Sequence, residues 1–267
     1  MLKLMEVEVQ LPIGEKTNNS MGSLMHGILM ENISIKVANL LHEEGLRPFS
    51  QCIYFDKEKN KSMWRIGTLT KEIYEIISSV IYEKENFFLK QKGYNIFLKN
   101  PRILFETSYE KIADEIFPNS DEPKGANFNF LTTTSFKRNG EYVIFPDQFL
   151  IIHNLLQRWN TFSPYMKIDD NNLAGKLASF CKITKYNLYS RIFSLESRNI
   201  IGFGGNISIN FIGNDMVNRI IAVLSNFASF AGVGIKTALG MGAVDTEIFW
   251  RCKNDFIQSN RNDRSDS

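Results

Sequence analysis

Three histidines, His26, His42 and His153, are the side chains of this 267-residue chain best suited to moving protons near neutral pH. His26 stands among apolar residues in SLMHGIL, a setting that fits a packed core residue or a general acid–base group. His42, in LLHEEG, falls in the last helical turn before Gly45, where a histidine interacts well with the helix C-terminus without any catalytic role. His153, in FLIIHNLLQRW, suits helix packing or a surface position. The second feature with chemical content is the stretch from Ala231 to Val244, AGVGIKTALGMGAV. Gly232 and Gly234 form one close pair, Gly240 and Gly242 another, and Lys236 lies in the spacer. A dinucleotide fingerprint runs strand, glycines, helix; here an apolar helical run precedes the glycines and a strand-like segment follows. Paired glycines let a backbone approach a large object with its amides outward, and a lysine there suits a phosphate. The competing reading is a turn that packs a helix onto a strand beside a solvated lysine.

These residues need elements to hold them. LKLMEVEVQLP alternates Met5, Val7, Val9 and Leu11 against Glu6, Glu8 and Gln10, the pattern of a half-buried strand. Asn18 to Ser20 offer helix caps for a run through Leu24, Met25, Ile28 and Leu29, which continues to Gly45 with an interruption near Asn32 to Ser34. FSQCIYF and SMWRIGTLT read as strands joined by a charged turn, KEIYEIISSVIY as a helix and YNIFLKNPRILFET as a strand. Strand, helix, strand, strand, helix, strand is the ferredoxin-like order. The polar stretch from Asn119 to Gly125 reads as a linker. The order then repeats: FNFLTTTSF, a turn at Lys137-Arg138-Asn139-Gly140, EYVIF, a helix from Asp147, two more strands, a helix capped by Asn214 or Asp215, and a last strand from Val244. The expected architecture is α+β, two tandem ferredoxin-like (βαββαβ, RRM-like) domains over 1–121 and 122–250. The polar tail 251–267 is expected to be disordered.

Hydrophobic content of 43% and 22% charged residues are ordinary for a globular protein, and a net charge of +2 requires any basic surface to be local. Cys52, Cys181 and Cys252 are far apart and show no paired metal-ligand spacing, so they read as reduced thiols. No apolar run approaches the ~18 residues needed to span a membrane, and the N-terminus lacks a signal-peptide pattern; the expected location is cytoplasmic, with no membrane partner.

The doubled glycine pattern with a basic spacer resembles the C-terminal signature of the RAMP superfamily and, more narrowly, the sixth CRISPR-associated protein family, endoribonucleases that cut CRISPR precursor RNA within its repeats. LMHGILMENISIKVANLLHEEG, YVIFPDQ and LLQRWNTFSP extend the resemblance over roughly residues 1 to 250. In that family a histidine near the first helix acts with a second histidine or tyrosine and a basic helper. His42, ahead of Glu43 and Gly45, matches the family histidine best. His26 falls where many members have the tyrosine or a second histidine, and Arg47 takes the place of the helper. The commonest set is tyrosine, histidine and lysine, from which His26 and Arg47 depart.

On one unbroken helix His26 and His42 would lie ~24 Å apart, too far to share a phosphate, so cooperation requires a bend near Asn32 to Ser34. Ser34 can cap a new helix there. RNA brings its own nucleophile, the 2′-hydroxyl; one imidazole can take its proton, another can protonate the leaving 5′-oxygen, and a cation can stabilise the phosphoryl charge. The resemblance implies no metal, no cofactor, and 2′,3′-cyclic phosphate (or 3′-phosphate) and 5′-hydroxyl ends. Expected RNA-contacting residues are Gly232, Gly234, Lys236, Gly240 and Gly242, with Lys137 and Arg138 on their turn; Arg158, Lys182, Lys185 and Arg191 would extend a basic track. The implied partner is CRISPR repeat RNA. Whether CRISPR effector complex subunits also bind, and whether the chain is a monomer or homodimer, stays open. Tyr186, Tyr189 and Phe193 fit either base stacking or the core. A non-cleaving RAMP subunit that only holds guide RNA fits the glycine motif equally well; the histidines favour cleavage. A metabolite-binding regulator leaves Lys236 and the whole-chain resemblance unexplained.

Overall fold

The computed structural model describes residues 1–42, 45–165, 167, 172–195 and 198–251, with the side chains of residues 36, 39, 40 and 42 outside that description. The expected tail beyond Arg251 also lies outside the described residues. In the first half, β1 (Leu2–Gln10) leads to α1 (Gly22–Asn32) and α2 (Ile35–His42). β2 (Phe49–Asp56) and β3 (Lys61–Thr68) form a hairpin, followed by α3 (Lys71–Glu83), β4 (Asn86–Leu89) and β5 (Tyr94–Thr107). The strands form an antiparallel sheet ordered β2-β3-β1-β5-β4, a ferredoxin-like sheet with β4 added at one edge.

A short helix, α4 (Tyr109–Ile116), joins the halves. The second half runs β6 (Glu122–Thr134), a small hairpin of β7 (Phe136–Arg138) and β8 (Glu141–Val143), then α5 (Gln148–Phe162) and α6 (Leu173–Ser179). β9 (Cys181–Leu195), β10 (Arg198–Phe211), α7 (Asp215–Ala231) and β11 (Val244–Arg251) complete it. Its antiparallel sheet is ordered β11-β6-β10-β9, so the two halves are tandem ferredoxin-like units.

Side-chain caps start the helices where the sequence offers them: Thr70, Ser108, Asp147 and Asn214 accept from the amides of Ile73, Lys111, Leu150 and Val217. The stretch read as a linker is shorter than expected, because β6 begins at Glu122 inside it. Gly125 is a strand glycine: a Cβ there would sit 2.3 Å from the Ile209 carbonyl and 2.1 Å from the Phe249 ring. Its missing side chain is what lets that ring lie across the central strand.

Met5, Val7 and Val9 of β1 pack with Met25 and Leu29 of α1 and Ile77 of α3 in one core. The larger core surrounds α5 and α7, and Leu2, Leu4, Leu69 and Tyr109 of the first half enter it. Tyr109 meets Trp159 edge-on at 4.9 Å and lies 5.6 Å from Phe227. Burying a large apolar side chain contributes about 1.5–3 kcal/mol, so these four give a gross stabilisation of about 6–12 kcal/mol to the joint.

Candidate active site and RNA interface

The helical run that carries two of the histidines is broken where a bend was required. α1 ends at Asn32, and the next residue, Ile33, has extended backbone at φ −101° and ψ 164°. Ser34 then accepts from the Val37 amide at 3.4 Å and starts α2. No single rod therefore holds His26 and His42 apart. His42 closes α2; its side chain, and Glu43, lie outside the described residues.

His26, half-buried on α1, stacks on Phe49 at 6.0 Å with ring planes 11° apart. Phe49 opens β2, two residues after Arg47. The half-buried Arg47 donates from Nη1 to the Gly45 carbonyl at 3.1 Å. The carbonyls of Arg47 and Phe49 both accept from Arg158 Nη2, which also donates to Thr237 Oγ1 at 2.9 Å. One guanidinium on α5 thus ties the candidate catalytic segment to the glycine-rich loop. Arg158 was expected on a surface track and is instead 3% exposed. Burial pushes its pKa down to about 10, which leaves it charged at neutral pH. Its spacing from Ile151 and Leu155 along α5 was the overlooked signal of an inward-facing residue.

The glycine loop uses its backbone mostly inside the fold. The amides of Gly232, Gly234 and Gly242 donate to the Ala228 carbonyl, Asn154 Oδ1 and the Thr133 carbonyl. Those of Val233, Ile235 and Ala243 donate to the Gly242 carbonyl, the Ser135 carbonyl and Thr132 Oγ1. The expectation that the glycine amides point outward is therefore corrected for Gly232, Gly234 and Gly242. What the loop presents is Lys236, exposed and left-handed at φ 55°.

Gly240 does a different job. Its Cα lies so close to Gly22, the first residue of α1, that a Cβ on Gly240 would approach Gly22 Cα to 2.8 Å. Gln51, missed because it interrupts the apolar FSQCIYF, secures the same contact. It is 2% exposed and donates to the carbonyls of Gly22 and Ala238 at 2.7 and 2.9 Å while accepting from Trp64 Nε1. The loop therefore locks the start of the His26 helix onto the second half. Gly240→Val adds a backbone clash to a strained φ of 109° and is expected to cost roughly 2–6 kcal/mol in denaturant unfolding. Gly27, on the same helix with nothing within 4 Å of a built Cβ, provides the contrast: Gly27→Ala should gain about 0.5–1 kcal/mol. Equal stability of the Gly240→Val protein and the parent would overturn this account of the loop.

Lys137 and Arg138 are exposed on β7, and the positive-φ turn itself falls on Asn139 and Gly140. Arg138 pairs with Asp147 at 2.8 Å, which fastens the hairpin to the start of α5. β7 follows directly from Ser135, the residue that holds Ile235, so hairpin and glycine loop adjoin.

A groove of about 1410 Å³ is lined by residues of both halves, among them Lys57, Lys92, Tyr189, Arg191 and Ile192. Arg191 lies over the Tyr189 ring at 5.5 Å and donates to the Leu131 carbonyl at 2.7 Å. Tyr186 and Tyr189 are exposed, whereas Phe193 is fully buried in a small core with Ile200 and Met241. Lys182 and Lys185 are exposed on β9. Cys52 and Cys181 are buried free thiols whose pKa burial raises to about 12. Among the described residues, no three His, Cys, Asp or Glu side chains are grouped to hold a metal ion.

Comparison with known proteins bears on the family and the fold. Residues 128–244 match the family model described as CRISPR-associated endoribonuclease Cas6. A Mycobacterium tuberculosis CRISPR-associated endoribonuclease Cas6 is 30% identical over 241 residues, 89% of this chain and 75% of its own length. A Streptococcus thermophilus relative of the same description is 25% identical over 222 residues, 83% of this chain and 89% of its own. A Cas6 product complex superposes with a TM-score of 0.74 at 22% identity, covering 92% of this chain and 100% of that one. A Thermus thermophilus Cas6 gives 0.71 at 20% identity, covering 92% and 98%. These likenesses agree with the tandem ferredoxin-like fold, and the relationship to the mycobacterial protein spans nearly the whole chain. The chain belongs to the CRISPR-associated endoribonuclease Cas6 family.

Proposed function

We propose that this protein cleaves CRISPR precursor RNA within its repeats to give mature guide RNAs, without a metal ion. The observation that carries the reading is the lock between the glycine loop and α1. It holds the helix bearing His26 against the second half and leaves Lys236 exposed beside the hairpin of Lys137 and Arg138. Family membership supports the reading, and the titratable groups suit it. In the reaction the RNA 2′-oxygen attacks the adjacent phosphorus and the bond to the 5′-oxygen breaks. One imidazole takes the 2′-hydroxyl proton, a second donates a proton to the departing 5′-oxygen, and Arg47 offsets charge on the phosphoryl oxygens. His42 and His26 fill the two imidazole roles. The ends produced are a 2′,3′-cyclic phosphate and a 5′-hydroxyl. Lys236, Lys137 and Arg138 serve the RNA backbone, whose recognition is driven by charge and salt-sensitive.

Incubating the protein with end-labelled repeat RNA in excess EDTA tests the proposal. One defined cut that persists in the chelator is expected. Binding without cutting, with or without added magnesium, would instead make the chain a non-cleaving RNA-holding subunit.

A further inference from the structure

Outside the groove and the histidine site, the second half displays a cluster of aromatic rings that packing does not consume. Tyr142, Phe145 and Phe149 are 46%, 55% and 40% exposed, and Tyr186 on the facing strand β9 is 69% exposed. Large rings left in solvent on neighbouring segments mark a contact surface more often than chance exposure. Phe145, Phe149 and Tyr186 are held in place by ring contacts. Phe145 meets Tyr186 edge-to-face at 6.3 Å and 77°, and Phe149 stacks on His153 at 5.3 Å and 11°. Their backbone is fixed too, because Asp147 caps α5 at the Leu150 amide and pairs with Arg138 of the hairpin. His153, unassigned by the cleavage chemistry, thereby finds its place as the support of the Phe149 ring.

The surroundings say what the rings receive. Lys137 on the hairpin, cross-strand from Tyr142, is exposed, and the nearby carboxylate of Asp147 is already paired with Arg138, while Lys182 and Lys185 lie on the opposite face of β9 from Tyr186. Flat aromatic faces beside the exposed Lys137 match nucleobases joined by phosphates, the ligand that the RNA-cleavage reading brings to this half. The hairpin is also continuous with the glycine loop, since Ser135 at its base holds Ile235 beside Lys236.

We propose that Phe145, Phe149 and Tyr186 form a stacking platform for unpaired bases of the RNA that this protein binds. The inference rests on the RNA-cleavage reading and adds to it a second contact zone that recognises bases through their faces. Sequence-tolerant stacking contributes about 5–150-fold in affinity per base. Because it involves no phosphate, the dependence of affinity on salt should hardly change when the rings are removed.

The test measures anisotropy of labelled repeat RNA against wild type, the double variant Phe149→Leu with Tyr186→Leu, and Tyr82→Leu, which removes an exposed ring from α3 in the first half. The double variant is expected to lose about 5–150-fold in affinity at an unchanged salt slope, and Tyr82→Leu to bind as wild type does. Abasic replacements at the unpaired positions of the RNA, tested against wild-type protein, should reproduce the loss without any change to the protein. If both the double variant and the abasic RNA bind normally while wild type still cuts the repeat, the platform is wrong and the cleavage reading stands. Should wild type bind no repeat RNA at all, both fall.

Discussion

His42→Ala is expected to lower single-turnover cleavage of repeat RNA by roughly 10²–10⁴-fold, the usual contribution of a positioned acid–base group, while RNA affinity stays within a few-fold of the parent. The proposed mechanism gives His42, the last residue of α2, one of the two imidazole roles, just ahead of the segment that leads to Arg47. An imidazole there moves protons and makes few binding contacts, so the loss should fall on the rate at saturating RNA. His26 calls for a more careful substitution, because its ring also packs on Phe49. His26→Phe keeps a flat ring against Phe49 and removes the proton carrier. It should melt near the parent temperature and still cleave slowly, whereas His26→Ala mixes lost packing with lost chemistry. Near-normal single-turnover rates in the His42→Ala protein would remove that residue from the mechanism.

The order of elements was readable because strand alternation and helical spacing are local properties. Met5, Val7 and Val9 alternate inward, and Asp147 and Asn214 cap the helices they precede. The break at Ile33 and Ser34 was readable for the same reason: Ser34 is a cap waiting for a helix. Failures came where meaning depends on distant chain. In Asn119–Gly125 the polar residues suggested a linker, yet Gly125 is small because Phe249, far along the sequence, lies across it. The α4 helix went unread because it is only eight residues long and directly follows a long strand. Gln51 and Arg158 look like surface residues by type, and become buried ties only when the two halves dock. The glycine doublets were correctly singled out but given too simple a role. Sequence shows that backbone can approach something closely there. It does not show that the close neighbours are Gly22, Ser135 and Val233 of the same chain.

A repeat RNA with one 2′-deoxy nucleotide immediately upstream of the cut should bind this protein and stay whole. In the proposed mechanism the attacking atom belongs to the RNA, so its removal cannot be compensated by any side chain. The histidines only carry protons to and from oxygens already present, and Arg47 only balances charge. Binding should survive because a single 2′-hydroxyl is one contact among many phosphate and base contacts. The experiment also separates this chemistry from hydrolysis. An enzyme that activates water, whether by a general base or by a metal ion, attacks phosphorus without using the neighbouring hydroxyl and would cut the deoxy substrate. Its fragments would then carry a simple terminal phosphate, while internal attack leaves a cyclic one. Intact deoxy RNA that competes normally with native repeat for the protein is therefore the expected result. Efficient cutting at the deoxy position would show that the nucleophile comes from outside the RNA and would leave the paired-histidine mechanism without its first step.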